Sequence, residues 1–193
     1  LLEQSAIKNF KIALMYDEGA LRNLPATEDY TARVVSDLRY ASQYFTMTSY
    51  LQLNQKPVVF VFPYEQFDAY IDWQQVREQL GIPITLIEKD PNPTTVEHDA
   101  RFDGFYSWVH ASTPEWQVGD GCERYLRWFY TTIATPTYAN KIAIGGVWPG
   151  FAHSTATQNR YIARRCGQTW LDTWALAHKY APPIVMIATW NDF

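Results

Sequence analysis

The sequence predicts a parallel α/β fold, a (β/α)8 barrel of which about six βα units are present. Three observations carry this expectation. Short β-branched runs alternate with helical ones, several runs end abruptly in Trp, His or a carboxylate, and no Gly-rich phosphate loop follows the first strand. In parallel barrels the loops after the strands build the site on a rigid core. The first strand ends Asp17-Glu18-Gly19-Ala20, which makes no dinucleotide fingerprint and disfavours the alternative, an open doubly wound sheet.

The elements follow in order. Lys11 to Tyr16 is a short apolar run, read as a buried strand closing in Asp17-Glu18-Gly19. Tyr30, Val34, Leu38, Ala41 and Phe45 recur three or four apart, which predicts a helix over 28–50 with Thr27 as its N-cap. Pro57 to Phe62 is continuous and β-branched, as in a strand covered on both faces. A helix over 66–80 closes at Gly81, and Ile82 to Ile87 is the next strand. Strand 102–109, helix 119–130 and strand 141–147 follow, and Trp148-Pro149-Gly150-Phe151 breaks the last of these. A polar loop through Asn159 leads to a helix ending at Tyr180, with Cys166, Trp170, Trp174 and Ala177 as its expected buried stripe. Ile184 to Thr189 is the final strand, expected to be buried, and it runs into Trp190-Asn191-Asp192-Phe193. No internal repeat or linker interrupts the chain, so residues 1–193 are read as one domain. A complete barrel needs roughly 250 residues. With Leu1 in place of a start Met and no loop after Asp192, the reading is a barrel truncated at both ends.

Composition narrows the function. The chain of 193 residues carries a net charge of −4 and no Arg/Lys-rich stripe, so nucleic acid is not an expected partner. No charge-free run is long enough to span a bilayer. Cys122 and Cys166 form no CxxC spacing and read as small core residues, although one disulfide between them fits as well. The histidines have no metal-ligand spacing, and neither a metal nor a cofactor is expected. No Gly-x-Ser-x-Gly elbow supports a serine hydrolase. Oligomeric state and compartment stay open.

The aromatic content of 16%, with eight Trp and thirteen Tyr, points further, because many rings fall at expected strand ends. Aromatic rings supply buried area, yet they also stack on the apolar faces of sugars. The strand ends collect Tyr16, Asp17 and Glu18; Tyr64 and Glu65; Glu88 and Asp90; Trp108 and His110; Trp148, Phe151 and His153; and Trp190, Asn191 and Asp192. Carboxylates among Trp, Tyr and His suit glycoside hydrolysis, which needs a base or nucleophile and an acid for the leaving oxygen. Each residue has a plainer role to weigh. Asp17 or Glu18 can cap a loop, with Asp17 preferred over Glu18 for the site. Glu65 and Glu88 suit surface ion pairs, and His110 and His153 suit ordinary loops. Trp108 and Trp148 divide between core and sugar platform. Asp103 begins a strand on the opposite rim and is read as structural. Asp192 follows its strand directly and is the expected catalytic carboxylate.

Four segments in order carry a resemblance: Lys56-Pro57-Val58-Val59-Phe60, Asp103-Gly104-Phe105-Tyr106-Ser107-Trp108, Val147-Trp148-Pro149-Gly150-Phe151 and Ile187-Ala188-Thr189-Trp190-Asn191-Asp192-Phe193. They resemble the glycoside hydrolase family 99 and 71-like barrels, which include endo-α-mannosidase. The resemblance implies a (β/α)8 barrel acting on α-linked sugars, of mannan or glucan type, with retention. One carboxylate would deprotonate the sugar 2-hydroxyl, which attacks as an internal nucleophile, while a second acid assists the leaving group. Asp192 matches the first carboxylate, as Asp where the mannosidases have Glu; the match for the second falls beyond Phe193. Asp17 falls near a family acid, Arg165 resembles a family Arg, and Trp148 replaces a less bulky residue. The implied substrate contacts are Asp17, Tyr16, Trp108, His110, Trp148, His153, Trp190 and Asn191. The alternative is a non-catalytic saccharide-binding or polysaccharide-biosynthesis protein on the same barrel.

Overall fold

The computed structural model describes residues 2–25, 27–94, 99–110, 123–154 and 159–189. The chain divides into two compact units, Leu1–Lys89 with Ala100–Asp103, and Asp90–Asp99 with Gly104–Phe193. Both mix helices with parallel strands.

In the first unit the elements are α1 (Leu2–Ile7), β1 (Leu14–Asp17), α2 (Tyr30–Ala41), β2 (Gln52–Leu53), β3 (Lys56–Phe62), α3 (Glu65–Asp68), α4 (Trp73–Leu80) and β4 (Thr85–Lys89). Strand β3 is central. It pairs in parallel with β1 from Leu14↔Val59 to Asp17↔Phe62, and with β4 from Val58↔Thr85 to Val61↔Glu88. The short β2 adds an antiparallel pairing to its start. Val58, Val59 and Val61 are fully buried, as a continuous β-branched run on a doubly covered strand requires. Helix α2 buries Val34, Val35 and Leu38, and α4 buries Trp73, Val76 and Leu80.

Two helices differ from expectation in the same way. The helix expected over 28–50 ends at Ala41, and a 3-10 turn, Ser42–Tyr44, follows. Ser42 Oγ donates back to the Arg39 carbonyl at 2.7 Å, a local bond that competes with helix continuation. Its N-cap is Asp29, whose carboxylate accepts from Ala32 N–H at 3.0 Å, and not Thr27. The helix expected over 66–80 is split into α3 and α4, because Asp72 takes an extended conformation and caps α4 through Gln75 N–H at 3.0 Å. Gly81 closes α4 in the left-handed region at φ 67°, as expected.

The second unit contains β5 (Gly104–Tyr106), α5 (Glu123–Ile133), β6 (Ile142–Val147), β7 (Phe151–Ser154), β8 (Asn159–Ile162), α6 (Gln168–Tyr180) and β9 (Ile184–Ile187). Strand β6 is central here, parallel to β5 (Gly104↔Ile142) and to β9 (Ile144↔Ile184). Gly104 is required by close approach: a Cβ there would sit 2.3 Å from the Ile142 carbonyl oxygen. The expected loop between 151 and 159 instead carries an antiparallel hairpin, β7–β8, with Phe151 opposite Ile162.

Strand β9 is less buried than its apolar sequence predicts. Among the described residues its recorded pairing is with β6, and Ile184 and Ile187 are exposed. Helix α6 buries Thr169, Thr173, Leu176 and Ala177, a stripe shifted from the expected one. Cys166 lies before the helix, exposed and unpaired by any disulfide, with φ 53°. Cys122 is outside the described residues.

A charged brace holds the base of the first unit. Asp103 accepts from Leu86 N–H at 2.8 Å and from Arg77 Nη2 at 2.7 Å. The same guanidinium donates to the carbonyls of Arg101 and Ile84. One planar fork therefore ties α4 to the starts of two extended segments. Asp103→Ala is expected to lower stability by about 1–3 kcal/mol, since it strips the backbone donor of buried Leu86 and a guanidinium together. The exposed i,i+4 pair Glu123–Arg127 is the control, with an expected loss below about 0.5 kcal/mol for Glu123→Ala. Urea denaturation of both variants checks this, and equal losses would remove the brace from the account.

Candidate active site

At the C-terminal end of β1 the chain presents two adjacent carboxylates with opposite fates. Asp17 is exposed and folds back locally: its Oδ1 accepts from Gly19 N–H at 2.8 Å and caps the 3-10 turn Glu18–Asn23. Glu18 is fully buried. Its Oε2 accepts from Tyr64 N–H at 2.9 Å, just past the end of β3, and its Oε1 from the Trp73 indole N–H at 3.2 Å, at the first turn of α4. Burial raises the Glu18 carboxyl from 4.5 to about 7, with Asp68 and Asp17 adding to the rise and the two N–H donors opposing it. Such a group is ionised and neutral in comparable amounts near neutral pH, a property typical of acid–base sites and of buried switches.

Tyr16 is buried beside it, its hydroxyl donating to Asp37 Oδ2 at 3.0 Å. Burial first, then the Asp37 carboxylate, pushes this phenol well above its usual range. Tyr64 is 39% exposed, stacked on Phe67 with the Arg22 guanidinium 5.5 Å from its ring centre. Glu88 lies buried within β4 and not after it. Of the side chain of Glu65 nothing is described.

In the second unit an aromatic group forms around Tyr125 of α5. Its hydroxyl donates to Asp90 Oδ1 at 2.5 Å and accepts from Trp108 N–H at 3.0 Å. The His110 ring stacks on it at 4.8 Å and 8°. Trp128 and Trp148 lie 5.9 and 6.2 Å away. Asp90 reaches this position through a left-handed backbone at φ 58°, a conformation Asp tolerates better than most residues. Trp108 and His110 are half-buried, whereas Trp148 is fully buried and its N–H donates to Thr173 Oγ1 at 3.3 Å.

Next to the ends of β6 and β9 lies a cavity of about 250 Å³, walled by Gly150, Phe151, Tyr161, Arg164, Arg165 and Thr189 among others. Gly150, at φ 141°, must be glycine, because a Cβ would lie 2.7 Å from Arg164 Cγ. Arg165 on this wall donates to Asp172 at 2.6 Å and to Thr169 at 3.0 Å. Thr189 on this wall directly precedes Trp190-Asn191-Asp192, which lie outside the described residues. His153 is on β7 opposite Arg160; its side chain is not described. Among the described residues no group of three or more His, Cys, Asp or Glu is placed to hold a metal ion, and no helix is long and apolar enough to cross a membrane.

The structure thus joins Tyr16, Asp17 and Tyr64 around Glu18 in one unit, and Trp108, His110 and Trp148 around Tyr125 in the other. From sequence Asp17 is the preferred carboxylate of its pair, and Tyr125 falls within the expected helix 119–130 with no site role assigned. The signal for Glu18 was parity: it continues the alternation that buries Tyr16 and exposes Met15 and Asp17. Tyr125→Phe removes one partner from both Asp90 and the Trp108 amide. It is expected to lower stability by about 1–3 kcal/mol in chemical denaturation. An unchanged midpoint would show that the hydroxyl holds nothing in place.

No family model matches the sequence, and no curated protein matches it. Solved structures do. The chain is similar over 100% of its length to a GH99 endo-alpha-mannosidase from Bacteroides thetaiotaomicron in complex with BIS-TRIS-propane, at 16% identity and a TM-score of 0.64. The same values relate it to another structure of the GH99 endo-alpha-mannosidase from that organism. The chain spans 60% and 56% of those two chains. The family resemblance legible in the sequence motifs is thereby met by a likeness of fold across the whole chain.

Proposed function

We propose that this chain is a glycoside hydrolase-like domain of (β/α)8-barrel type that cleaves α-linked oligo- or polysaccharide, of mannan or glucan type, with retention. The observation that carries the reading is the fold likeness to GH99 endo-alpha-mannosidases over 100% of the chain. The aromatic and cationic cavity beside β6 and β9 supports it, because it stands at the strand ends that lead into Asp192.

In this reading Asp192 is the base. On an α-mannoside, whose 2-hydroxyl is trans to the leaving group, it takes the proton of that hydroxyl as the oxygen attacks the anomeric carbon, the glycosidic bond breaks, and a second carboxylic acid protonates the leaving oxygen; an α-glucoside, with the two groups cis, offers no such line of attack. Water then opens the strained 1,2-anhydro sugar from the opposite face, and two inversions give net retention. Asn191, Trp190 and His153 contact the sugar near the cavity. Trp108 and His110 contribute contacts from the Tyr125 group, with buried Trp148 behind that group. Asp17, with Tyr16 supporting it from the buried side of β1, is a further substrate contact.

The test uses the full-length protein on α-mannan and α-glucan oligosaccharides, with products followed by NMR. Wild type is expected to release sugars with the α configuration retained. Asp192→Ala is expected to lose about 10²–10⁴-fold in turnover, the range for loss of a general base, while melting as wild type does. Full turnover by Asp192→Ala on a cleaved substrate would remove Asp192 from the reaction. Tight saccharide binding without cleavage by wild type would assign the non-catalytic alternative.

A further inference from the structure

A fully buried carboxyl group bridging two chain segments is unusual enough to ask what holds it there. Glu18 sits at the end of β1 and receives one N–H from each end of the connection that joins β3 to α4: Tyr64 at its start and Trp73 at its finish. Between these points lie α3 and the exposed Tyr70, with Tyr30 of α2 packed against both Phe67 and Tyr70. The connection is therefore pinned at both ends by one side chain.

We propose that Glu18 is a proton-operated clasp on residues 64–73: neutral, it stays buried with the connection closed, and ionised, it drives the connection to open so that water reaches the carboxylate.

The direction follows from the surroundings. Among the described residues, the charged and titratable groups that act on Glu18 include Asp17 on its own strand, Asp68 of α3 and Tyr16, and none of these three is cationic. The cations nearby are engaged elsewhere: Arg22 donates to the Gly19 carbonyl and lies over Tyr64, and Arg101 donates to the Ile71 carbonyl and acts on Asp68. The indole of Trp73 packs against Tyr16 and Phe102, so the lining is aromatic. Two N–H donors favour the ionised form, but burial and two neighbouring carboxylates outweigh them. The sign follows by linkage. The buried group has its pKa raised from 4.5 to about 7, so closure is fully favoured below 4.5 and is lost progressively as pH rises to 7. The unit is well suited to such a switch, because Leu1–Lys89 and Ala100–Asp103 contain no histidine and no cysteine. The clasp itself is independent of the glycosidase reading; only an effect on saccharide turnover would rest on it.

Hydrogen exchange of the Tyr64 amide, corrected for its intrinsic pH dependence, tests the clasp without any substrate. In wild type its protection is expected to fall roughly 10–100-fold between pH 5 and 7.5 and to level off above that. In Glu18→Gln the fall is expected to vanish. Asp68→Asn keeps the clasp but removes one repelling charge, so its profile is expected to level off at lower pH. This variant decides the matter should Glu18→Gln fail to fold. A flat profile in wild type, the same slope in Glu18→Gln, or an Asp68→Asn profile identical to wild type would each overturn the proposal.

Discussion

Parallel pairing forces each return of the chain to cross back along the sheet, so that within a unit the strand C-termini emerge on one side. Strands β1, β3 and β4 share that direction in the first unit, and β5, β6 and β9 share it in the second. Polar groups follow from the constraint. A doubly covered strand such as β3 is apolar from Pro57 to Phe62, and charge is more easily tolerated at the residues just past its end. Glu18, Tyr64 and Asp90 occupy such places. The opposite ends are treated differently: there Asp103 and Arg77 join side-chain charge to backbone groups in a brace.

The two strand-end groups solve one problem by different means. Each must keep a polar side chain satisfied in an aromatic setting. In the second unit Tyr125 brings a neutral hydroxyl to the Asp90 carboxylate, so the interior of the contact carries the smaller penalty and the acid stays near the surface end. In the first unit the acid itself goes inside and the donors come from a backbone amide and an indole. Neither donor carries charge, so neither can compensate the full desolvation of a carboxylate. One contact joins a neutral hydroxyl to an acid, and the other holds an acid whose carboxyl burial raises to about 7.

Much of the fold was legible because period and composition act locally. The β-branched run 57–62, the left-handed glycine at 81 and the Pro-Gly break after Val147 each placed an element end correctly. What the sequence hid depended on capping bonds and on partners distant in the chain. Asp29 and Asp72 look like ordinary polar residues until their carboxylates are seen on helix N–H groups, and the helical period in 28–50 runs through a point where Ser42 turns the chain instead. Residues 151–162 lack the tight Asn-Gly or Asp-Gly turn that marks a hairpin, so β7 and β8 read as loop. Of the site, the strand-end aromatics Tyr64, Trp108 and Trp148 were visible, but not which would be buried. Trp148 is inside, and Thr173 of α6, 25 positions away, meets its backbone.

The pair Asp17-Glu18 shows how closely role is set by side-chain parity and by donor geometry. A one-residue step along an extended chain moves a side chain to the other face. Asp17 falls outward, and its short side chain reaches only its own turn; Glu18 falls inward, where it meets two N–H groups aimed at both of its oxygens. Glutamine would set its NH2, which has no lone pair to offer, against one of those two donors, whereas both oxygens of a carboxyl group keep acceptor lone pairs even when one is protonated. An acid is thus the side chain whose geometry fits, and burial then makes its charge unwelcome. The raised carboxyl is what results when burial outweighs the two N–H donors, and it sits at the junction of β1, β3 and α4.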